Sequence, residues 1–201
     1  MRVARAVFAL LAAAAAVLLP PAAHAADADI VAAARTQIGI TVSYDPAYRK
    51  LAFPGGDVPP ERGVCTDVIV RALRVARAID LQQRVNEELR AHWNAYPHPR
   101  AWNLRRPDPN IDHRRVPNLM KYFERAGAAR RHTQRAADYL PGDIVAWNLG
   151  GNILHIGIVT DRRSANDVPL VVHNIGSGAQ EEDILFRYTV IGHYRLPPVA
   201  P

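Results

Sequence analysis

The chain changes its hydrophobic period once. Up to Leu140 apolar residues recur at spacings of three and four; after Pro141-Gly142 they come in short, β-branched, turn-bounded blocks. This switch is the strongest constraint on the fold, because a pattern with helical period does not settle as a strand, nor the reverse. Helices first and consecutive strands afterwards predict an α+β domain, its N-terminal helices packed on a C-terminal antiparallel sheet.

Each block has its own signals. "ADIVAAARTQIG" has helical spacing and ends at Gly39. The next stretch contains Pro46, Pro54, Pro59 and Pro60 with the Gly55-Gly56 pair, and reads as a loop with a short extended piece. "ERGVCTDVIVRAL", residues 61–73, opens a helix whose stripe is Val68, Ile69, Ala72, Leu73 and Ala76, and Cys65 falls on that stripe one turn before it starts. Asp80 is placed to cap "LQQRVNEELRAHW"; Asn94 to Asn110 reads as an ordered loop. "DHRRVPNLMKYFERAG" should bury Val116, Leu119, Met120 and Phe123 and stop at Gly127. "DIVAWNL", "ILHIGIVTD", "PLVVHNIG" and "LFRYTVIGHYRL" are the expected strands, connected as a meander, with "GGN" at 150–152 as a hairpin turn.

The N-terminus has an export pattern. Arg2 and Arg5 precede an apolar run from Val7 to Leu19, and Ala23-His24-Ala25 fits a small-x-small cleavage site. Residues 1–25 are therefore expected to be a signal peptide, too short for a permanent membrane span. Residues 26–201 are then one exported domain with a helical and loop insertion around 80–135, and the periplasm is the simplest destination. The chain carries 25 Lys+Arg against 19 Asp+Glu, and Arg2 and Arg5 leave with the signal. A modest positive charge favours anionic partners such as cell-wall polymers. No nucleic-acid-reading motif is present, nor an HExxH or similarly tight metal spacing, so neither nucleic acid, a metal nor a cofactor is expected.

Cys65 is the only cysteine, so an exported chain has no partner with which to bridge it. At a helix start a thiol gains from the positive end of the dipole, which lowers its pKa. If the second and third strands end near Thr160 and Val168, His155 and His173 stand directly opposite each other on one face. A thiol, an imidazole to take its proton and a second side chain to orient that imidazole are the parts of nucleophilic catalysis. A free cysteine on an apolar helix face is more often only a small core residue, and a lone strand histidine more often structural.

"GVCTDV", "PGDIVAW", "HIGIV" and "VVHN" together resemble the NlpC-type cysteine peptidases, the compact bacterial branch of the papain-like fold. The likeness covers roughly Gly63 to Leu73 and Pro141 to Gly176. The longer pattern "RGVCTDV", "DPNIDHRR" and "HNIG" is similar to an exported bacterial family of unknown function, the DUF1287 family. The first resemblance implies Cys65 as nucleophile, His155 as general base and acid, His173 as orienting residue, and the Cys65 backbone N–H in the oxyanion hole. It also implies peptidoglycan or its peptide fragments as substrate. A tyrosine upstream of the cysteine assists in that family, and Tyr48 and Tyr44 are candidates, neither at the expected offset. Thr66-Asp67 replaces the usual Ser-Gly. Asp67, with Asp112, His113, Arg114 and Arg115 of the insertion and Asn174 after His173, completes the candidate substrate-binding set, since arginine grips carboxylates in bidentate fashion. Asp112 as a mere helix cap beside exposed arginines is an equal alternative. Three rival functions stay open: a non-catalytic cell-wall or partner-binding module, a metal hydrolase using His155, His173 and His193 or His113, and an acyl or lipid hydrolase using the same triad. Oligomeric state is not readable.

Overall fold

The computed structural model describes residues 22–99 and 102–197. The export signal expected at 1–25 lies outside the described residues up to Pro21, and helix α1 (Ala22–Arg35) begins at Ala22. No helix among the described residues is long and apolar enough to cross a membrane.

Three further helices follow: α2 (Cys65–Arg77), α3 (Leu81–Ala91) and α4 (Val116–Arg125). The proline-rich stretch after α1 contains β1 (Ser43–Tyr44), which runs parallel to β2 (Arg62–Gly63) just ahead of α2. The predicted caps are present. The Asp80 carboxylate accepts the Gln82 N–H at 3.1 Å, and Gly127 takes a φ of +71° past the end of α4. In α2 the predicted stripe is buried from Val68 to Leu73, with Ile69, Ala72 and Leu73 at 0% exposure, and only its last member, Ala76, is partly buried. At roughly 1.5–3 kcal/mol per large apolar side chain, this helix is held by its sheet-facing side rather than by intrinsic propensity.

The main sheet contains β3 (Ile144–Asn148), β4 (Leu154–Arg163), β5 (Pro169–His173), β6 (Gln180–Glu182) and β7 (Thr189–Tyr194) in the order β6-β5-β4-β3-β7, all neighbours antiparallel. The expected simple meander is corrected here. The last strand does not extend the row but crosses to pair with β3 at the far edge. The polar edge strand β6 had no sequence forecast, and the front of the expected fourth strand, Leu185 and Phe186, is instead a turn packed against the outer face. Alternation divides the core in two. Ile144, Ala146, Ile156, Ile158 and Val172 meet the helices. Val145, Trp147, Val159 and Val171 meet Tyr139, Ile184 and Leu185 on the other face, where Trp147 Nε1 donates to the Leu185 carbonyl at 2.9 Å.

The register of β4 against β5 also differs from the assumed one. Ile158 pairs with Val172 and Val159 with Val171, so His173 stands level with Gly157 rather than with His155. The error is two residues, which returns each side chain to its own face. His155 and His173 are therefore diagonal neighbours on the same face. Gly157 makes this possible: a Cβ there would lie 3.1 Å from His173 Cβ and 2.6 Å from a Val171 methyl.

Candidate active site

Cys65 is the first residue of α2. The residue is 4% exposed and borders a cleft of about 300 Å³ whose walls include Tyr44, Trp102, Arg114, Arg115 and Leu154. The helix start is built by Asp67, whose carboxylate accepts the Val64 N–H at 2.7 Å. Val64 has no side chain to return the bond, so only half of a capping box is made. Asn174, buried just past β5, donates to the Gly63 carbonyl at 3.0 Å and ties the end of that strand to the residue two before the cysteine.

The expected low thiol pKa is corrected by the structure. Burial is the dominant influence and pushes the Cys65 thiol up to about 12, against the backbone N–H groups of Ile156, Thr66 and Cys65 that favour the thiolate. A helix terminus is worth roughly 0.3–1 kcal/mol, too little to offset loss of water around a thiolate. The N–H of Ile156 belongs to the residue directly after His155, but Ile156 faces the helices with Cys65 whereas the His155 ring stands on the other face of the sheet against Trp147. No hydrogen bond among the described residues joins Sγ to either imidazole.

The two imidazoles do meet. His155 Nε2 lies 3.1 Å from His173 Nδ1, with the rings nearly perpendicular, and His155 stacks against Trp147. Behind them stands a residue the sequence did not flag. Glu182 Oε2 lies 2.9 Å from His173 Nε2, off the line of an ideal N–H bond, so the contact is electrostatic. A carboxylate there favours a proton on His173 Nε2. His173 Nδ1 then accepts from His155 Nε2, which leaves the lone pair on His155 Nδ1, for which no hydrogen bond is made among the described residues. Burial, then the His173 charge, push His155 down to about 3, and burial lowers His173 despite Glu182. In the resting site the thiol and both imidazoles are neutral.

The predicted binding residues divide into framework and cleft. Arg114, fully buried, clamps Asp67 with Nε and Nη2 at 3.0 Å and also donates to the Asp45 and Ala47 carbonyls. It holds the loop that carries Tyr44, and four of its five N–H donors are already committed to Asp67 and the two carbonyls. Arg115 bonds Asp112 at 3.0 Å and lies over the Trp102 ring at 4.4 Å. His113 is buried with Nδ1 unpartnered, and burial lowers it to about 4. Tyr48 is outside the cysteine cleft, its hydroxyl donating to Asp108 at 3.0 Å and accepting from Asn110 at 2.9 Å. Tyr44, the other tyrosine considered, borders the cysteine cleft; burial and then the nearby Cys65 push it up to about 12. His193, offered as a metal ligand, is engaged elsewhere, 2.6 Å from Asp143, which Arg195 also grips. Among the described residues no three His, Cys, Asp or Glu side chains form a group that could hold a metal ion.

Comparison with known proteins adds three matches. The profile of the family described as "Domain of unknown function (DUF1287)" covers residues 31–196. "Uncharacterized protein YijF" of Escherichia coli (strain K12) is 53% identical over 162 residues, which is 81% of this chain and 78% of that protein. Among solved structures, "Structure of NlpC1 from Trichomonas vaginalis" superposes with a TM-score of 0.42 and 13% identity over 84% of this chain and 43% of that one, so this chain spans less than half of its length.

Proposed function

The chain belongs to the DUF1287 family, and within that family we propose that it is an exported cysteine hydrolase that cleaves an amide bond in peptidoglycan stem peptides. The supporting observation is the ordered row Glu182–His173–His155, together with a cysteine at a helix start whose thiol meets the backbone N–H of Ile156, the residue after His155. Export and the periplasm follow from the sequence of residues 1–25, and the cell-wall substrate from the motif resemblance.

In this reading a bound amide displaces water at Cys65, and the thiol proton passes to His155 Nδ1 as Sγ bonds to the carbonyl carbon. Burial penalises a single charge; a thiolate and imidazolium formed together offset each other. The backbone N–H of Cys65 and the Tyr44 hydroxyl donate to the oxyanion. His155 then gives its proton to the departing nitrogen, leaving a thioester on Cys65. Water, deprotonated by the same imidazole, cleaves the thioester and restores the thiol.

A second reading, a wall-binding module without turnover, is supported by the neutral resting thiol. Digestion of purified peptidoglycan by wild type and Cys65→Ala, with fragments identified by mass spectrometry, separates them. Defined muropeptides from the wild type alone support the hydrolase, and their masses identify the bond. Silence from both with retained wall binding supports the module; equal activity in both removes Cys65 from the mechanism.

A further inference from the structure

A wider cleft of about 720 Å³ adjoins the cysteine cleft and shares Trp102, Ile111 and Arg115 with it. Its other walls carry Arg90, Arg105 and Arg106. Three arginines that line the two clefts are already engaged: Arg114 with Asp67, Arg115 with Asp112, and Arg90 through Nε with Asn86 at 2.9 Å. Arg105 and Arg106 are exposed at the cleft and, among the described residues, have neither an ion pair nor a hydrogen bond.

We propose that this cleft is a carboxylate-binding subsite, in which Arg105 and Arg106 hold an acidic side chain of a peptide that continues over Arg115 and Trp102 towards Cys65. Two uncompensated guanidinium groups at the rim of a concave surface supply paired N–H donors matched to two oxygens. A carboxylate in the lining selects among anions. Asp108, fixed by Tyr48 and Asn110, keeps a carboxylate within the same cleft. A polyanion would be repelled there, whereas a peptide with one carboxylate and several amide N–H groups has a partner in both the arginines and Asp108. The stacked Trp102 and Arg115 provide a flat floor for the intervening chain. The position of the ligand relative to a scissile bond rests on the hydrolase reading; binding itself does not.

The test uses the full chain carrying Cys65→Ala, so that nothing is turned over, and isothermal titration with acetyl-Ala-Glu-Ala-amide, acetyl-Ala-Gln-Ala-amide and inorganic phosphate. The Glu peptide should bind about tenfold more tightly than the Gln peptide, as loss of a charge-assisted hydrogen bond requires, and more weakly as salt rises. Arg105→Ala/Arg106→Ala should remove that preference while unfolding at the same temperature, and Arg105→Lys/Arg106→Lys should restore only part of it. Equal affinity for the two peptides, a preference unchanged in the double alanine variant, or binding of phosphate without the Glu peptide overturns the proposal. Failure of the hydrolase reading looks different: the Glu preference persists while the wild type releases nothing from peptidoglycan.

Discussion

Alkylation of Cys65 by iodoacetamide should climb about tenfold per pH unit from pH 6 to pH 10, with no plateau. Burial holds the thiol at about 12. At pH 8 the thiolate fraction is then about one in ten thousand, against roughly a quarter for a free thiol. A more basic thiolate is more nucleophilic; with a Brønsted coefficient near 0.45 it recovers about 40-fold, so the net rate is roughly 60-fold below that of a free thiol. Restricted access at 4% exposure lowers it further. His155, held neutral at about 3, contributes no charge over this range, so His155→Ala should leave the profile unchanged. Stopped alkylation followed by intact-mass measurement gives the rate at each pH. A pre-formed thiolate–imidazolium pair gives another pattern, a flat rate between about pH 5 and pH 8 that collapses in His155→Ala. That pattern would refute the assignment of a neutral resting site.

Three other outcomes follow from named contacts. Asp67→Ala strips a buried arginine of its only carboxylate and α2 of its cap, a loss of about 4 kcal/mol; urea denaturation should show it, and Asp67→Ala/Arg114→Met should be far less destabilised than the two single changes combined, whereas simple additivity would mean the pair is not a unit. If turnover is found, Glu182→Ala should lower kcat about tenfold and shift the acid limb of the pH profile, with Glu182→Gln recovering little of it because a neutral amide lacks the charge that acts on His173 Nε2; an unchanged limb removes Glu182 from the row. His155 and His113 are held at about 3 and about 4 while their unfolded forms take up protons near 6.5, so the unfolded chain binds more protons below that pH. Stability is complete above pH 6.5 and falls by about 1.4 kcal/mol per unit for each histidine as the pH drops; His113→Gln should shallow that slope by one proton in urea titrations between pH 4.5 and 6.5, and an unaltered slope would show that His113 does not resist protonation.

How much was legible in the sequence depended on whether a feature is periodic or relational. The α2 stripe and the faces of the strands follow from spacing alone, and the His155–His173 encounter survived a wrong register because the error was even. The crossover of the last strand was not legible, since a strand's edge is decided by which neighbour covers it: Tyr194 at its end packs on Phe123 of α4, far away in sequence. Glu182 was hidden for a related reason, as β6 is a short half-buried polar strand with no apolar alternation. The grouping of Arg114 and Arg115 was visible in the sequence, but their engagement by Asp67 and Asp112 was not, and that distinction moves the proposed carboxylate contact to Arg105 and Arg106. The thiol shows the limit most clearly. A helix start predicts the sign of one contribution to its ionisation, whereas the core that buries Cys65 is drawn from separate parts of the chain, and its exclusion of water is the larger effect. A nucleophile can thus be located from its helix and strand partners while its protonation state is decided by packing that no local pattern encodes.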